Sequence, residues 1–187
     1  MSDNTSLMTS PIFESFKNRL KPQRSEAQLA LANVHIFNKL SWSEIRRVEQ
    51  TVHVRSFAPG ENVFKQGDPG SGMYIIIRGA VGIHLDIPGE EPQKLAELSE
   101  GDFFGEIALL DESPRSAGAI AIENSKIIGF YRPDLMNLLH TRPALGAKIL
   151  LALSEALATR LRSADEKLAK ATRQLKTYLD AEAQDHD

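Results

Sequence analysis

Apolar positions along this 187-residue chain change their period twice. From Pro11 to about His53 they recur at intervals of three and four, as in PIFESFKNRL and SEAQLALANVHIFNKL, which predicts helices. SWSE at 41–44 reads as a capping box: Glu44 can reach back to the Ser41 amide, and a helix is expected through EIRRVEQTV. Residues 1–10 are polar and are expected to be disordered. From Val54 the texture is different. Nearly all the glycines lie between Gly60 and Gly129, separating the short runs NVFK, GMYIIIRG, AVGIHLDI, QKLAELS and SKIIGFY. Turns such as APGE, QGDPGSG and IPGEEP stand between these runs. Short strands spaced about ten residues apart predict a β-sandwich or barrel over 54–131.

After Tyr131 the helical period returns. Pro133 and Pro143 suit first-turn positions, predicting a short helix over PDLMNLLH and a long one from Pro143 to about Asp180. Within the long helix, Leu161, Ala164, Leu168, Ala171, Leu175 and Tyr178 alternate three and four apart. That is a short heptad seam, open to two readings: a helix that pairs with a second copy, or one folded onto its own domain. Segment 132–187 is thus expected to be hinge helix, long helix and acidic tail.

Composition narrows the class only a little. Hydrophobic residues at 42% and charged residues at 25% describe an ordinary globular chain of one domain with extensions. A net charge of -3 gives no general attraction to nucleic acid, and no apolar run is long enough to cross a bilayer. MSDNTSLMTS lacks the basic and apolar regions of a leader, so a cytoplasmic protein is expected, without membrane insertion. Without cysteine there is no disulfide or thiolate metal site, and the five histidines show no ligand spacing. No Gly-Lys-Ser/Thr follows the glycines of GDPGSG, and no positioned base or nucleophile stands near Arg115. A metal, a resident cofactor and enzymatic activity are therefore not expected.

The chemistry concentrates in FFGEIALLDESPRSAGA, residues 103–119, an apolar stretch with Glu106 near one end and Arg115 near the other. If FGEIALL is a strand end turning into a short helix, the amides of Glu106, Ile107 and Ala108 become free first-turn donors suited to an anion. Arg115, fixed by Pro114, can set its planar fork on the same anion. Glu106 only accepts, so beside a phosphate it suits a sugar hydroxyl. The competing reading is that Glu106 and Arg115 pair with each other and brace a loop.

FGEIALLDESPRSA closely resembles the phosphate-binding cassette of the cyclic nucleotide-binding domain, and GDPGSGMYIIIRG, residues 67–79, is similar to that domain's glycine-punctuated hairpin. The resemblance covers roughly 34–140. It implies an eight-stranded jelly roll flanked by helices, mainly β, and a cyclic mononucleotide ligand, cAMP or cGMP. By position it assigns Glu106 to the ribose 2′-hydroxyl and Arg115 to the cyclic phosphate. The amides of 105–108, with Ser116 and Ala117, would complete the cradle. Phe104 and Ile107 would belong to the same site, and Ile83 and Leu95 would line the base side. ATRLRSADEK, residues 158–167, resembles the long helix of bacterial catabolite activators, where hydroxyl side chains meet the adenine. Ala164 and Asp165 break that pattern here, leaving Arg160, Ser163 and Asp165 as candidates for a lid over the base. The alternative is that these are solvated charges on a helix face. The chain ends where those activators carry a DNA reader, so a sensor without an attached effector is expected. It would pair through its C-terminal helix and signal to a separate effector protein. A ligand-free interaction module and a cyclic di-GMP receptor are the alternatives on this fold.

Overall fold

The computed structural model describes residues 23–184. The expected polar tail 1–10, the helical pattern of 11–20 and the end of the acidic tail lie outside the described residues, as does the Tyr178 side chain. Two short helices open the described chain, α1 (Glu26–Asn33) and α2 (Trp42–Glu49). Ser25 caps the first by accepting from the Gln28 amide. Ser41 and Glu44 form the capping box of the second, as their spacing predicts. The stretch after Asn33 leaves the helix and continues in turns, because Val34 takes an extended conformation.

Eight strands follow: β1 (His53–Phe57), β2 (Asn62–Phe64), β3 (Gly72–Arg78), β4 (Val81–Leu85), β5 (Gln93–Leu98), β6 (Phe103–Phe104), β7 (Gly118–Ala121) and β8 (Ser125–Tyr131). They form two antiparallel four-stranded sheets, ordered β1-β8-β3-β6 and β2-β7-β4-β5, the double-sheet plan of a jelly roll. Strands β1 and β7 fall outside the apolar runs that predict strands. HVRSF of β1 is exposed over all but Phe57, and GAIA of β7 is short and built from small residues, so neither carries a strong apolar signature.

YIII in β3 and KIIGF in β8 read as continuous apolar runs because both faces of their sheet are covered. Ile76 and Ile127 point into the roll with Phe57, Val81 and Phe104. Ile75, Ile77, Ile128 and Phe130 point the other way, onto Phe37 of the turn segment and Leu135, Leu145 and Leu153 of the helices. The chain closes with α3 (Arg132–Thr141) and the long α4 (Pro143–Gln184). The first part of α4 belongs to the core through Leu145, Ile149, Leu153 and Ala156. It is also held by Lys148 to Glu44 at 2.7 Å and by Glu155 to Lys39 at 2.8 Å. From Ala158 to Thr177 every residue is exposed, and the helix leaves the domain.

Candidate functional site

Strand β6 ends at Phe104, and Gly105 takes φ 69°, a left-handed conformation that L side chains rarely adopt. A single 3₁₀ turn, Glu106–Leu109, follows. Here the structure departs from the expected row of free amides, because the Ala108 amide donates to the Gly105 carbonyl at 3.3 Å. This is the first bond of the tighter helix. Leu110 and Asp111 complete the turn through bonds to the Ile107 carbonyl, and an irregular loop leads to Arg115.

The hairpin turn at 67–72 is the anvil for that loop. The Arg115 amide donates to the Asp68 carbonyl at 2.8 Å, and the Gly67 amide donates to the Arg115 carbonyl at 2.9 Å. A Cβ on Gly70 would lie 2.6 Å from the Ser113 carbonyl oxygen, so only glycine lets the two backbones touch. The linkage explains why two glycine-rich motifs so far apart in sequence act as one unit.

Arg115 is 7% exposed and Glu106 4%. They do not pair. The Arg115 guanidinium donates from Nη1 to the Gly105 carbonyl at 2.9 Å and from Nη2 to the Gly72 carbonyl at 2.7 Å, and it lies 4.1 Å over the Phe64 ring. Its Nε is buried with no hydrogen-bond partner among the described residues. Burial pulls its pKa below the ordinary arginine value, while Tyr74, Asp68 and Glu106 act in the opposite sense. Glu106 Oε1 instead accepts from Arg160 Nη1 of α4 at 2.7 Å, and Arg160 Nη2 donates to the Phe103 carbonyl at 2.8 Å. The Arg160 guanidinium also sits 4.5 Å over the Phe103 ring. A second tie joins the cassette to the helices, from Arg132 Nη1 at the start of α3 to Glu112 at 3.0 Å.

Between these groups lies a cavity of about 500 Å³. Phe104, Gly105, Glu106, Ile107, Ala108, Arg115, Ser116 and Ala117 line it, together with Ile83 of β4 and Arg160 of α4. This volume falls in the range of small-ligand sites, which combine apolar walls with a few placed polar groups. One end offers a desolvated cation with neighbouring backbone amides, the other a carboxylate with one oxygen engaged. Such a pair suits a ligand with an anionic group a short distance from a hydroxyl.

Three residues expected at the site are placed elsewhere. Leu95 is 51% exposed and does not line the cavity, whereas Ala96 and Leu98 do. The reason is the alternation of β5: Ala96 pairs with Ile83 and faces the cavity, so Leu95 beside it faces outward, where a register shift also leaves it without a partner on β4. Ser163 and Asp165 stand exposed on the outgoing part of α4, away from the cavity, and only Arg160 of the expected lid reaches it. Phe64 and Ser113 line it without a sequence expectation, and Pro114 lines it besides its expected part in fixing Arg115. For Ala96 and Leu98 the period-two pattern of QKLAEL was an available signal. Phe64 had none, since its place depends on the pairing of β2 with β7.

Comparison with known proteins supplies the family. Residues 54–142 match the family described as the cyclic nucleotide-binding domain. The cyclic AMP receptor protein of Thermus thermophilus is 36% identical over 133 residues, 71% of this chain and 60% of that relative, so the chain spans about three fifths of the relative's length. The crystal structure of the Thermus thermophilus catabolite activator protein aligns at a TM-score of 0.66 and 32% identity, covering 73% of this chain and 62% of that one. A cyclic nucleotide-binding domain from Methylobacillus flagellatus, 23% identical with a TM-score of 0.67, shares the fold over 89% of this chain and 94% of its own. Jelly roll, cassette and flanking helices agree with these matches: residues 54–142 carry a cyclic nucleotide-binding domain.

Proposed function

We propose that this chain is a receptor for a cyclic mononucleotide, cAMP, and that it transmits binding through α3 and α4. One observation carries the reading: Glu106 and Arg115 are both buried on the wall of one cavity, yet neither neutralises the other. A ligand-free brace would be expected to join them. The relative named as a cyclic AMP receptor protein adds support from outside the chain.

In this reading the cyclic phosphate sits at Arg115, with Ser116, Ala117 and the cassette amides around it. The ribose 2′-hydroxyl donates to Glu106 through the oxygen that Arg160 leaves free. The base lies against Ile83, Ala96 and Leu98. Closing the cassette on the phosphate shifts the 3₁₀ turn and the two ties that leave it, Glu106–Arg160 and Glu112–Arg132. Those ties lead to the long helix and to the hinge helix. Ligand binding therefore biases the orientation of α4, whose seam pairs with a second copy and presents the dimer to an effector protein.

Titration calorimetry with cAMP, cGMP and 2′-deoxy-cAMP on wild type and Glu106→Gln tests this. A hydrogen bond to a buried carboxylate contributes about 1.5–3 kcal/mol, so 2′-deoxy-cAMP should bind wild type about ten- to a hundredfold more weakly than cAMP. Glu106→Gln should narrow that gap. No heat with either cyclic nucleotide, from a protein that remains folded, overturns the proposal.

A further inference from the structure

A second cavity, of about 570 Å³, lies on the outer face of the sheet β2-β7-β4-β5. Successive residues of β4 point to opposite faces, so Ile83 lines the cavity already described and His84 lines the outer one. The chain entering β7 divides in the same way: Ala117 belongs to the inner cavity, Gly118 and Ile120 to the outer. The outer face is hollow there because two neighbouring positions carry no side chain. Gly82 pairs with Ile120, and Gly118 pairs with His84. The imidazole lies across Gly82, where an added Cβ would come within 2.6 Å of its Cε1. Asn62 and Lys65 stand on the β2 side of the hollow, Asp86 and Pro92 on the side of β4 and β5. Gln66 fastens the two sides together. Its Oε1 accepts from the Asp86 amide at 2.7 Å, and its Nε2 donates to the Asp86 carbonyl at 3.4 Å.

The polar side chains of this hollow are unengaged. Among the described residues, Lys65 and Asp86 take part in hydrogen bonds through their backbones only, and their charged groups meet neither each other nor a third group. The Asn62 amide and the His84 ring make no hydrogen bond either, and His84 Nδ1 is buried without a partner. Opposite charges elsewhere on this surface close onto each other, as Lys94 does on Glu97 and Lys39 on Glu155. A cation and a carboxylate that line one hollow without meeting suit a guest carrying both charges. A purely anionic guest would face Asp86 uncompensated, and a purely cationic one would face Lys65. We infer that the hollow binds a small zwitterion, an α-amino acid with an apolar side chain. Its carboxylate accepts from the Lys65 ammonium and the Asn62 amide, and its ammonium donates to Asp86. Its side chain rests on Ile120 and Pro92, and His84 meets it through Nε2, the ring nitrogen that is not buried. None of these residues serves the cyclic nucleotide, so the site stands independently of that reading.

The test follows the His84 Cε1–Hε1 NMR signal of the isotope-labelled full chain, assigned with His84→Gln, as L-leucine is added with and without saturating cAMP. A saturable shift is expected in both conditions. L-leucine methyl ester lacks the carboxylate charge and N-acetyl-L-leucine lacks the ammonium. Each should bind about two- to fivefold more weakly, the loss of one largely exposed ion pair. Lys65→Gln should weaken L-leucine by the same factor and leave the methyl ester unaffected. Asp86→Asn should weaken L-leucine likewise and leave N-acetyl-L-leucine unaffected. Gly118→Val raises the floor and should abolish the shift. A Cβ at Gly118 meets nothing closer than the Gln66 amide nitrogen at 3.5 Å, so the variant should stay folded by circular dichroism, and the two charge variants carry the test if it does not. No saturable shift with L-leucine overturns the site. So do derivatives that bind as tightly as L-leucine, or an affinity indifferent to both charge substitutions. L-leucine that cAMP displaces competitively lies in the first cavity, which also overturns it. A chain that binds L-leucine but no cyclic nucleotide supports this site and removes only the reading given above.

Discussion

Replacing Arg115 by alanine probes the site at its most loaded residue. Two separate losses follow from the geometry. In the folded protein the guanidinium satisfies the Gly105 and Gly72 carbonyls at 2.9 and 2.7 Å. Each buried acceptor left without a donor costs about 1–3 kcal/mol, partly offset because a desolvated cation is removed. A net destabilisation of roughly 2–4 kcal/mol should lower Tm by about 4–16 °C for a chain of this size. The second loss is in binding: a desolvated, charge-assisted fork on a phosphate contributes about 2–4 kcal/mol, hence about thirtyfold to nearly a thousandfold in Kd for cAMP. Calorimetry at a temperature where circular dichroism shows the variant folded isolates the second effect. Arg115→Lys, which keeps the charge and loses the fork, should fall between wild type and alanine in affinity. A folded Arg115→Ala protein that binds cAMP within about threefold of wild type would refute the assigned phosphate position.

Two further changes follow from the same geometry. Gly105→Ala should destabilise the protein by about 1–3 kcal/mol in urea denaturation and weaken cAMP binding, because Gly105 has φ 69° and an added Cβ would lie 2.6 Å from Arg115 Nη1. Glu44 governs an acid-sensitive contact between α2 and α4: Lys148, then the Ser41 amide and hydroxyl, hold its pKa down to about 2 from an ordinary 4.5. A carboxylate depressed in the folded state stabilises it above the unfolded pKa, and that contribution disappears as pH falls from 4.5 through about 2. Urea midpoints of wild type and Glu44→Gln should therefore differ near neutral pH and converge toward pH 2.

Much of the architecture is legible in the chain because it is governed by local periods. The helical repeat after Tyr131, the capping box of Ser41 and Glu44, and the strand runs from NVFK to SKIIGFY all depend on neighbours within a few residues. The cassette is legible for the same reason, since Gly105, Glu106, Pro114 and Arg115 lie within one short segment. Strands β1 and β7 escape such a reading. An exposed strand and a run of small residues carry little apolar contrast, and both are strands because β8 and β4 pair with them.

The amino-acid order thus determined which charges the site owns, and the tertiary structure decided what each of them touches. Which partner Glu106 takes depends on α4 passing over the cavity, a contact spanning 54 positions. Arg115 finds its carbonyls only because a hairpin begun more than forty residues earlier lies beneath it. Leu95 faces outward because its neighbour Ala96 is the one paired with Ile83 on the cavity wall, and successive strand residues point to opposite faces. Opposite charges nine residues apart can meet in a flexible chain at a modest loop-closure cost. Burial, competing partners and the packing of distant elements held them apart here, and those forces act only once the chain is folded.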